Sequence, residues 1–81
     1  MSLWLCHVVW LDSEADANWT PLESITEELD ITHSAGFLIK EAETFILLAL
    51  SYDETTQSIN TFKKIPLAAI QKITKIKKVK I

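Results

Sequence analysis

Residues 3–11, Leu-Trp-Leu-Cys-His-Val-Val-Trp-Leu, are apolar at almost every position, and this run limits what the chain can become. It is too short to cross a bilayer, which takes about 20 residues as a helix. No basic residue precedes it and no small-residue cleavage site follows it, as a secretory signal requires. A bulky leucine also stands before Cys6 where a lipoprotein signal needs a small residue. A short run that is apolar on both alternating sides reads as a strand covered on two faces. Residues 44–52, Thr-Phe-Ile-Leu-Leu-Ala-Leu-Ser-Tyr, have the same character. Two such strands need more cover than one small core supplies.

The chain has 81 residues, so residues 1–81 make one domain near the lower limit for an unaided apolar core. Its single cysteine cannot form an internal bridge, and two histidines with one cysteine make a poor metal set. A partner subunit is the reinforcement left, and a homo-oligomer in a reducing, cytoplasmic setting is expected. No membrane partner, metal or cofactor is expected.

Between the apolar runs, Asp12 to Asn18 reads as an exposed acidic loop. Thr20, Pro21 and Glu23 form a capping box that predicts a helix over 21–30, with Leu22, Ile25 and Leu29 on its apolar face. Residues 35–40 and 44–52 are predicted strands joined by an acidic turn near 41–43. The chain's only glycine, Gly36, marks a bend or a close backbone approach. A turn at 53–57 leads to a strand over 58–65, which Pro66 ends.

In the last stretch Leu67, Ile70, Ile73, Ile76 and Val79 recur every third residue, as on a helix, but the β-branched content favours a strand. One helical turn over 66–70 and a strand from about 71 are expected. The fold class that results is mainly β with one short helix (α+β), a strongly bent five-stranded small barrel.

The layout Trp10-x-Asp12, Trp19-x-x-Leu22-Glu23, Ser34-Ala35-Gly36-Phe37-Leu38 and Ile65-Pro66-x-x-x-Ile70-x-x-Ile73 resembles a group of small, functionally uncharacterised bacteriophage and prophage proteins. The likeness covers residues 8–76. It implies a barrel similar to the Sm-like and Src-homology-3-like folds, with a helical turn between the fourth and fifth strands, and an accessory role in the host cytoplasm. The Sm proteins that bind RNA carry an Asp-x-Asn loop and a later arginine–glycine pair. Here Asn60 has no aspartate two residues before it and arginine is absent, so a shared fold would not carry that RNA site with it.

Individual residues point to structure more than to catalysis, and the chain is expected not to be an enzyme. Cys6 and His7 are neighbours on a strand and project to opposite faces, so they form no dyad. His33 and Ser34 stand before a predicted strand, where they suit loop hydrogen bonding. Asp12, Glu14 and Asp16 alternate as in a calcium loop but lack the sixth-position glycine and twelfth-position glutamate. Trp10, Asp12 and Trp19 form a candidate cluster, either to clamp a flat ligand or to pack the helix onto the barrel.

Charge is segregated. Residues 1–60 hold all 11 acids and one lysine, and residues 61–81 hold seven lysines and no acid. The candidate nucleic-acid-binding residues are Lys72, Lys75, Lys77, Lys78 and Lys80, which could follow phosphates, meet an acidic protein, or protect a sheet edge. Simple strand alternation puts Lys75 and Lys77 on one side with Ile73 and Val79, and Lys72, Lys78 and Lys80 on the other with Thr74 and Ile76. Nucleic-acid binding and protein–protein assembly both stand as functions.

Overall fold

A computed structural model describes residues 1–12, 19, 21–24 and 29–81. Five strands make one antiparallel sheet: β1 (Ser2–Asp12), β2 (Asp30–Glu41), β3 (Phe45–Asp53), β4 (Ser58–Pro66) and β5 (Ile70–Lys80), in the order β4-β3-β2-β1-β5. The apolar run of residues 3–11 is the central β1, paired along both edges. Cys6, Val8 and Trp10 on one face are buried, whereas Leu5, His7, Val9 and Leu11 on the other are only half-buried, so the expected cover on two faces is found on one. A 3₁₀ turn, Leu67–Ala69, joins β4 to β5 after Pro66, as expected.

The helix expected over 21–30 does not form across the described residues. A single 3₁₀ turn, Leu22–Ser24, stands in its place, and β2 already begins at Asp30. Leu22 and Leu29, the described residues of the expected apolar stripe, are exposed, and tertiary burial is what holds most short helices. Thr20, the expected cap, and residues 25–28 lie outside the described residues, as does the acidic loop beyond Asp12. His33 and Ser34, expected to precede a strand, lie inside β2.

The sheet folds over at β2. Residues up to Leu38 pair with β1, whereas only Phe37 to Glu41 pair with β3, so β2 passes from one layer to a second. Gly36 sits at that passage. A Cβ there would stand 2.7 Å from the Ala49 carbonyl oxygen, so the strands can approach only because residue 36 has no side chain. The 3₁₀ turn gives independent proof of the folding. In a flat sheet β4 and β5 would be four strand spacings apart, about 19 Å, yet Pro66 and Ile70 are joined by a three-residue turn that advances only about 2 Å per residue.

Between the layers lies a small core. Cys6, Val8 and Trp10 of β1 meet Leu38, Ile46, Leu48 and Ile65, with Trp4, Ala69 and Ile70 packed at the margin. These residues share the concave side of the sheet. The sheet is nevertheless not closed, because the ladder runs from β4 to β5 with no pairing between these two edges. Beyond Ala49 the strands β3 and β4 pair only with each other, among the described residues, and their ends form a projecting hairpin. Its turn is tied by the Asp53 carboxylate, which accepts from the Thr55 amide at 2.9 Å.

Candidate polyanion interface

β5 carries most of the chain's lysines, and two irregularities decide where they point. Its register against β1 shifts between Leu5 and Cys6 and again between Val9 and Trp10, so Ile76 and Gln71 are extra residues in β5. Each bulge inverts the alternation that follows it. Lys80, Lys78, Lys75, Ile73 and Ile70 consequently stand opposite Ser2, Trp4, Cys6, Val8 and Trp10, on the concave side. Lys77 and Lys72 stand opposite Leu5 and Val9 on the outer side. The division expected from simple alternation is therefore wrong: it joined Lys75 to Lys77, and Lys72 to Lys78 and Lys80.

Bulges also explain the three-residue period. Ile70 and Ile73 share a face because an extra residue lies between them, which a helix would achieve by its own turn. Ile76 is itself the second bulge residue, and it remains exposed.

Trp4 is the anchor of this basic face. The ammonium groups of Lys75 and Lys78 stand 5.5 and 5.9 Å from its ring, a cation–π arrangement that holds two flexible side chains over one indole. Beside them an open cleft of about 430 Å³ is bounded by Ser2, Trp4, Leu38, Lys40, Glu41 and Lys75. Glu41 lies 3.9 Å from the Lys75 ammonium, and because both side chains are about half exposed the pair adds little stability. Its effect is to offset one positive charge. Further along the concave side Lys63 of β4 stands 4.9 Å above Trp10.

Cys6 lies under this face, fully buried and opposite Lys75. Burial pushes its thiol above the ordinary value; the Lys75 charge pulls it down and the Glu41 charge adds to the rise. A thiol held protonated is a packing group and not a nucleophile.

The Trp10, Asp12 and Trp19 cluster is not brought together. Trp10 is a core residue whose indole N–H donates to the Ser34 hydroxyl at 3.0 Å, whereas Trp19 is fully exposed. Asp12 ends β1 opposite Asp30. Trp10 packs the two layers of the sheet and is not seen to hold a helix onto them among the described residues. Sequence reasoning passed over Trp4 and Glu41 as site residues and counted Lys63 only within the basic end of the chain. Trp4 was hidden inside an apolar run, and the partners of all three depend on the bulges and on the fold at β2.

Among the described residues no three ligand-type side chains converge as a metal site, and no helix is long and apolar enough to cross a membrane. No protein-family model, curated protein or solved structure matches the chain.

Proposed function

We propose that this chain is a non-enzymatic accessory module of the phage type, a small barrel of the Sm-like or Src-homology-3-like kind that self-associates and binds single-stranded nucleic acid through the Trp4 face. The element order supports the fold reading: a meander of strands, a 3₁₀ turn between the fourth and fifth, and a first strand set between β2 and β5. The observation that carries the binding reading is the alignment of Lys75, Lys78 and Lys80 on one face around Trp4. Three cations on one strand suit a row of phosphates. Without arginine the chain lacks the guanidinium fork that reads guanine in a duplex, so the contact is with the backbone and carries no base preference.

Assembly as the main role is the second reading, and exposed apolar residues favour it. Leu50 and Phe62 are 65% and 59% exposed near the root of the projecting hairpin, and Ile31 is exposed on β2.

Fluorescence anisotropy with labelled random single-stranded oligonucleotides at low salt separates the two. Binding is expected, weakened by Trp4→Ala, which frees both lysines to wander, and strengthened by Glu41→Gln, which removes the competing carboxylate. No binding at low salt would discard the nucleic-acid reading and leave assembly.

A further inference from the structure

On the opposite, outer side of the sheet His7 of β1 and His33 of β2 come together although 26 residues separate them in sequence. Strand pairing does this: His7 stands opposite Ala35 and His33 opposite Val9, which makes the two histidines diagonal neighbours on one face. His7 Nε2 and His33 Nδ1 are 2.9 Å apart, the ring centroids are 5.1 Å apart, and the planes differ by 11°. Parallel rings stacked at van der Waals separation, about 3.5 Å, could not bring two nitrogens so close. The rings therefore meet edge to edge with these nitrogens facing.

We propose that His7 and His33 form a two-imidazole site for a divalent transition-metal ion of the zinc, nickel or copper class. Imidazole nitrogen is the ligand these ions share. Metal–nitrogen bonds of about 2.0–2.1 Å place two nitrogens on a tetrahedral ion roughly 3.4 Å apart. As they stand the two nitrogens face head-on at hydrogen-bond distance. To hold an ion both rings must turn about their side-chain torsions until the lone pairs converge, with the nitrogens moving apart by about half an ångström. With the ring hydrogens on His7 Nδ1 and His33 Nε2, both facing nitrogens present lone pairs to the ion. Access is open, since Ala35 on one side of His7 and Thr74 on the other are exposed and neither is bulky. Water completes the coordination. The chelate exists only while β1 and β2 are in register, so the ion clips β2 to β1 along the part of β2 that β3 does not support.

The test is a zinc titration of the intact chain, followed by calorimetry and by imidazole nitrogen NMR, for the parent and for His7→Ala, His33→Ala and Cys6→Ala. Both imidazoles should respond with one midpoint at one zinc per chain. Each histidine replacement should lower affinity at least tenfold, and Cys6→Ala should leave it unchanged. Response of one ring only, one zinc per two chains, wild-type affinity in either histidine variant, or loss of binding with Cys6→Ala would each overturn the proposal.

Discussion

At Gly36 the constraint is space. A methyl group there would meet the Ala49 carbonyl at 2.7 Å, and a backbone carbonyl on a paired strand cannot swing away. Gly36→Ala is therefore expected to cost about 1–3 kcal/mol, as overpacked positions do, and urea unfolding of the two proteins measures it. Equal midpoints would mean that β3 shifts freely at this crossing. Cys6 makes a different demand, through protonation. Its thiol titrates higher in the folded chain than in the unfolded one, so the native state holds the proton more tightly. That contribution is fully present below the unfolded value, about 8.5, and is lost as pH rises through the folded value. The parent should lose more stability between pH 7 and pH 10 than Cys6→Ala does, and parallel unfolding curves at the two pH values test it.

Strand identity was largely legible because the apolar runs, the acidic turns and Pro66 are local signals. The bends were half legible: Gly36 announced a close approach, but the partner, Ala49, depends on long-range pairing. What could not be read was the register of β5. An extra residue leaves no mark on composition, and Gln71 and Ile76 are not residues that declare a bulge. Their effect was visible only as a period of three that a helix would also give. The capping box of residues 20–23 reads less clearly, since a local start signal says nothing about what the helix packs on, and of the expected apolar stripe the described Leu22 and Leu29 are exposed. The face of Lys75, Lys78 and Lys80 and the pairing of His7 with His33 both belong to this register-dependent part of the structure.

The whole molecule is long for its size. Its Cα radius of gyration is 15.5 Å, against about 12 Å for a compact chain of this length. Beyond Ala49 the hairpin pairs with no other strand among the described residues, and an isolated two-stranded hairpin is marginal in water. Exposed Leu50 and Phe62 near its root give it a surface to bury against another copy. Self-association is the expected outcome in light scattering across micromolar concentrations, weakened by Leu50→Ser with Phe62→Ser. A stable monomer throughout that range would remove this part of the account. The outer edges do not offer themselves for strand pairing, because β4 and β5 carry seven of the eight lysines and would repel each other.

Two bulges leave Lys75, Lys78 and Lys80 on one face of β5, and the salt dependence of oligonucleotide affinity shows whether phosphates bind to that face. Three contacted phosphates on a single strand give a log-log slope of about −2 per subunit, and an oligomer presenting several faces steepens it. Replacing Lys75, Lys78 and Lys80 with glutamine should flatten the slope nearly to zero without unfolding the chain. Replacing Lys72 and Lys77, on the outer side, should leave most of it. Equal losses from the two sets would contradict the account, since they would mean that charge alone, and not the face built by the bulges, determines binding.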